Sequence, residues 1–104
     1  MSPELIAEYH RLLSQTQEML ALHGEQQWVS VLQRRRDELT SDNPTVDLRQ
    51  HALHTARSLG GIGSIGEIAV MTQDESFTEL LNALYATCRQ IWNASLAQYR
   101  DFTH

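Results

Sequence analysis

The sequence predicts an all-α fold: one domain over residues 1–104 with about four helices, bundle-like or orthogonal, and a glycine-rich loop before a long C-terminal helix. Three observations predict it. Apolar residues recur three and four positions apart through most of the chain, the period of one helix face. Four of the five glycines are gathered between Gly60 and Gly66, which marks the one place where the backbone stops coiling. A length of 104 residues, with 41% hydrophobic and 20% charged content, is a globular composition with room for a modest core.

Ser2-Pro3-Glu4 is a helix start: serine caps, proline suits the first helical position, and an acid complements the dipole. Leu5, Ile6, Tyr9, Leu12, Leu13, Met19 and Leu20 then trace one face, and His23-Gly24 ends the helix. A second helix is expected from Glu25 to about Leu39, with Trp28, Val31, Leu32 and Leu39 facing inward. The short connection at Gly24 makes the pair an antiparallel hairpin. Arg34-Arg35-Arg36 beside Asp37-Glu38 reads as a solvated helix face with partners three and four residues away.

Thr40-Ser41-Asp42-Asn43-Pro44 is a break, with Asn43 or Asp42 as a cap and Pro44 opening the third helix. That helix runs to about Leu59 on a narrow face of Val46, Leu48, Ala52, Ala56 and Leu59. After the glycines, Ile68-Ala69-Val70-Met71 reads as briefly extended, and Thr72 with Glu75 fits a capping box. The last helix is expected from about Asp74 to Tyr99. Phe77, Leu80, Leu81, Leu84, Cys88, Ile91 and Tyr99 form its stripe, which Tyr85, Trp92 and Leu96 widen. A helix apolar over so much of its circumference is either central or shared with a partner.

The glycine stretch matches a nucleotide fingerprint only in its letters. Gly61-x-Gly63-x-x-Gly66 fits G-x-G-x-x-G, but that chemistry needs a preceding strand and a βαβ unit, and here a helix leads in. A P-loop is excluded because the chain has no lysine. Gly60, Gly61, Gly63 and Gly66 are therefore expected to build a structural loop, capping the third helix and folding Ile62, Ile65 and Ile68 inward.

Other chemistry is sparse. Ser64 lies in Gly63-Ser64-Ile65-Gly66, which is not a nucleophile elbow. Glu67 caps a loop amide or acts as a base. His51 and His54, three residues apart, lack the further ligand that a metal site needs and read as exposed or partly buried helix residues. Cys88 reads as a small core residue. No catalytic, cofactor or metal set emerges. One cysteine forms no internal disulfide, the start lacks a basic and apolar leader, and no apolar run is long enough to cross a bilayer, so a cytoplasmic protein is expected and no membrane partner. A formal net charge of −5 disfavours nucleic acid and suits a basic protein.

Trp28, the helix ending at Leu59, and Gly60-Gly61-Ile62-Gly63-Ser64-Ile65-Gly66-Glu67-Ile68 resemble a family of small bacterial proteins without an established activity. The mark of that family is a mid-chain Gly-Gly-Met-Gly-Ser-Leu-x-Asp-Leu segment. The resemblance spans most of the chain, but only the glycine stretch is specific, and here isoleucine stands for methionine and glutamate for aspartate. It implies a compact bacterial domain and carries no functional residue across.

The functional expectation is a protein-binding module, in its sharper form an immunity protein that covers the basic active site of a toxin domain. Glu67, Asp74, Glu75, Glu79 and Trp92 are the candidate contacts. The alternatives are a homodimer formed through the wide face of the last helix, used for regulation or scaffolding, and a small-ligand or nucleotide binder using the glycine loop.

Overall fold

Among the described residues, five helices follow one another: α1 (Pro3–Leu22), α2 (Gln26–Thr40), α3 (Leu48–Ser58), α4 (Ile65–Thr72) and α5 (Glu75–Phe102). The computed structural model describes residues 2–40, 47–61 and 63–102, with side-chain surroundings for 2–39, 47–61 and 63–94. No strand occurs among them. The all-α expectation therefore holds, and the count of four helices is corrected to five.

α1 begins as its sequence dictates. Ser2 Oγ accepts from the Leu5 amide at 3.1 Å, and Pro3 opens the helix. It ends where His23 and the positive φ of Gly24 turn the chain, with the Glu25 amide donating to the Leu20 carbonyl at 2.9 Å. Tyr9, Leu12, Leu13, Thr16 and Leu20 form its buried face. Thr16 is buried without penalty because its hydroxyl donates to the Leu12 carbonyl at 2.7 Å. α2 returns against α1, and Gln17 of α1 meets Gln33 and Arg36 of α2. Trp28, expected in the core, is only partly buried and packs against the core's edge.

α3 is capped by Asp47, whose carboxylate accepts from the amides of Arg49 and Gln50. Residues 41–46, which hold the expected Asp42, Asn43 and Pro44 start, lie outside the described residues, as does Val46 of the expected face.

The segment from Ile65 to Thr72 is helix, not loop or strand. Ser64 Oγ accepts from the Glu67 amide at 3.2 Å, the usual reach of an N-cap serine. Thr72 ends α4 rather than capping α5, and its hydroxyl donates to the Ala69 carbonyl. The cap of α5 is Asp74, whose carboxylate accepts from the Phe77 amide at 3.2 Å.

α5 is the spine. At 1.5 Å per residue its 28 residues span about 42 Å. α1, α3 and α4 each pack on it, and α2 is carried by α1. Phe77, Leu84 and Ile91 are fully buried along α5 and meet Tyr9, Leu13, Leu20 and Ile65 from the other helices. Each such side chain contributes about 1.5–3 kcal/mol of transfer free energy.

Candidate protein-binding surface

The glycine-rich corner assigns each expected role to a particular residue. Gly63, at φ +75, occupies a conformation that residues with a Cβ rarely adopt, as does Gly61 at φ +101. Gly66 acts differently. It is the second residue of α4, not part of a loop, and a Cβ there would stand 2.1 Å from the Leu59 carbonyl oxygen. α4 can therefore start directly against the C-terminal end of α3. The carboxylate of Glu67 accepts from the Gly63 amide, so Glu67 closes the turn over the start of its own helix. Ile65 is fully buried and Ile68 packs on the core, as expected, while Ile62 lies outside the described residues.

Of the five candidate contacts, the structure brings three together. Asp74, Glu75 and Glu79 line one hollow of about 450 Å³ with Val70 and Thr78. Glu67 is spent on the corner and lines none of the hollows described here. Asp74 is also partly spent. Besides capping α5, its carboxylate lies 3.1 Å from His23 Nε2, and these hydrogen bonds, His23 first, hold its carboxyl below the usual range. Trp92 stands toward the other end of α5, partly buried, with the Arg49 guanidinium 4.6 Å from its ring centroid. Such a stacked cation is worth about 0.5–1 kcal/mol where water reaches it.

Between these ends three adjoining hollows follow α5 and together form a trough. The acidic hollow passes, over Ala69, Val70 and Thr78, into one of about 330 Å³ bounded by Leu59, Leu81 and Tyr85. That one passes, over Ala56 and Tyr85, into a third of about 180 Å³ with Leu53, Arg89 and Trp92. From Glu75 to Trp92 the path along the helix is about 26 Å. Val70 and Met71 of α4 remain 73% and 74% exposed, and Tyr85 48%. Sequence spacing singles out Tyr85 and Trp92 as widening the apolar face but not Val70 and Met71, which belong to α4 rather than to the extended backbone expected.

Cys88, His51 and Tyr9 are occupied structurally. Cys88 is buried in the core, and burial pushes its thiol up to about 12. His51 is buried, unlike the exposed or partly buried helix residue expected. Its Nε2–H donates to the Arg35 carbonyl at 2.8 Å, which leaves Nδ1 to accept from the Tyr9 hydroxyl at 2.7 Å. The Thr55 hydroxyl completes the chain by donating to the Tyr9 oxygen, also at 2.7 Å. Burial holds His51 below its ordinary pKa and raises that of Tyr9. With both ring nitrogens taken, His51 has none for a metal, and His54 is exposed. Among the described residues, no three His, Cys, Asp or Glu side chains are placed to share a metal ion.

The arginine run on α2 is not a uniformly solvated face. Arg34 is exposed, but Arg35 and Arg36 are half-buried, and Arg36 Nη1 donates across to Gln17 Oε1 at 2.6 Å. No helix among the described residues is long and apolar enough to cross a membrane. No protein-family model, curated protein or solved structure matches the chain.

Proposed function

We propose that this chain is a non-enzymatic protein-binding module whose trough along α5 receives a basic, amphipathic segment of a partner protein. The observation that carries this reading is the exposed apolar pair of Val70 and Tyr85, which line one hollow together, set beside another walled by Asp74, Glu75 and Glu79. Exposed apolar side chains rimmed by charge are the usual composition of a docking surface. Acids at its edge speed the approach of a basic partner and set its orientation. The carboxylates, histidine and thiol described above serve as caps, bridges and core, which supports binding rather than catalysis.

In its sharper form the proposal is a bacterial immunity protein that acts in the cytoplasm and blocks a basic toxin domain. A net charge of −5, a single buried cysteine suited to a reducing compartment and a small size support it. A second reading has its own observation. The trough is acidic at the Glu75 end and carries Arg49 and Arg89 at the Trp92 end, so an antiparallel second copy would set acids against arginines.

Purified protein titrated with basic toxin domains encoded beside its gene tests both readings, followed by calorimetry and light scattering. The first expects a one-to-one complex that weakens with salt and is lost in Tyr85→Asp. A mass that doubles with concentration and is halved by Tyr85→Asp selects the second copy. A strict monomer that binds no such domain at micromolar concentration overturns both.

A further inference from the structure

A second concavity lies on the other side of α3, in the cleft facing α2. It has a volume of about 340 Å³ and is lined by Trp28, Arg35, His54, Arg57, Ser58 and the turn containing Gly60, Gly63 and Ser64. Its chemistry is opposite to that of the trough. Two arginines and a histidine line it and no carboxylate does, although the chain as a whole carries −5. The nearest acid of the corner, Glu67, is held on the Gly63 amide.

Helix geometry converges these groups. Trp28 and Arg35 are seven residues apart and so share one face of α2. His54, Arg57 and Ser58 are three and four apart and share one face of α3. α2 is carried on α1 and α3 on α5, so the two helices flank an opening.

No carboxylate lines the cleft beside these cations. Among the described residues, Arg57 and the His54 ring make no hydrogen bond and no ion pair. Arg35 Nε is buried without a hydrogen-bond partner and is not open to the cleft, so only the outer part of its guanidinium can meet a ligand there. Guanidinium groups cannot shed their charge. An arrangement of this kind is stabilised by an anion.

We propose that the α2–α3 cleft binds a phosphate oxyanion, free or as a phosphomonoester. Two guanidinium groups from different helices and an imidazole N–H offer more donors than the two oxygens of a carboxylate can take, while the Ser58 hydroxyl already donates to the His54 carbonyl at 3.0 Å. The three terminal oxygens of a phosphate match them. Trp28 supplies an apolar wall for the organic part of an ester. The site shares only Gly60 with the trough's lining and none of its charged or aromatic residues.

Calorimetry with inorganic phosphate, with adenosine monophosphate and with adenosine tests it, using sodium chloride at matched ionic strength as the control. Saturable binding of phosphate or the monophosphate at millimolar concentration or tighter is expected, with no heat from adenosine. Arg57→Gln, at an exposed position where folding is not at stake, should weaken it about tenfold or more. Tyr85→Asp, in the trough, should leave it unchanged. Tighter binding of the monophosphate than of phosphate marks an ester that uses Trp28, and equal binding marks the free ion. No saturation by about 10 mM of either, or affinity unchanged in Arg57→Gln, overturns the proposal.

Discussion

The Tyr9 hydroxyl and His51 Nδ1 stand 2.7 Å apart in the core, 42 residues apart in sequence, with their rings edge to face at 5.5 Å between centroids. Through Arg35 and Thr55 the pair ties α1, α2 and α3 together with buried polar groups. Tyr9→Phe removes only the hydroxyl, and so leaves His51 Nδ1 and the Thr55 hydroxyl buried and short of a partner. A loss of about 1–3 kcal/mol is expected, read from denaturant unfolding of the two proteins. Equal midpoints and slopes would show that the hydroxyl does not join the helices.

The same pair makes stability depend on pH in a defined direction. Burial holds the folded pKa of His51 below the ordinary 6.5, so between the two values the unfolded chain binds more protons than the folded one. Stability is full above about pH 6.5 and is lost as pH falls through that value toward the folded pKa. Glu8 and Asp74 are also held below their ordinary values, but they act lower, below about 4.5 and 3.8. Melting temperatures should therefore fall from pH 7 to pH 5 in the native sequence, and fall less in His51→Gln. Parallel profiles would remove His51 as the cause.

Gly66→Ala should destabilise, although alanine is the better helix former. The added Cβ would meet the Leu59 carbonyl at 2.1 Å, and backbone cannot swing aside as a flexible side chain would. A net loss of about 1–3 kcal/mol is expected from the forced shift of α4 against α3. Gly60→Ala is the control: nothing lies within 4 Å of its added Cβ, and the change should stay within about 0.5 kcal/mol. Thermal unfolding of both variants checks this, and similar melting temperatures would contradict the close approach.

Phe77→Ala should cost about 3–5 kcal/mol, because the ring is fully buried under α5 beside His23. Trp28→Ala should cost clearly less despite the larger ring, because Trp28 only lines the core's edge. Chemical denaturation orders the two. If Trp28→Ala proves the more damaging, the tryptophan is deeper than its exposure indicates.

Much of the helical plan was legible in the sequence. Ser2-Pro3 marks the start of α1, Gly24 its end, and the stripe from Phe77 to Ile91 the core face of α5, each by local rules of capping or period. α4 was not read, although its signal was present. Ser64 and Glu67 are three apart and precede an apolar run, which is a capping box. The run Ile68-Ala69-Val70-Met71 hid it, because four consecutive apolar residues show neither a period of 3.6 nor one of two. The acidic candidates fared in proportion to how local their roles are. Asp74, Glu75 and Glu79 share a hollow since they follow one another at the start of one helix, whereas Glu67 was drawn into the corner by the Gly63 amide.

By itself the sequence determined the class of the fold, the limits of most helices and the need for glycine at the corner, because these depend on residues within a turn or two of one another. Only the tertiary structure decided that His51 is buried while His54 is not, that Val70 stays exposed beside Tyr85, and that Arg35 and Arg57 face one cleft. Those outcomes depend on which helix covers which face. That choice is set by the competition of whole apolar surfaces for burial on α5 and by partners, such as Tyr9 for His51, that lie two helices away.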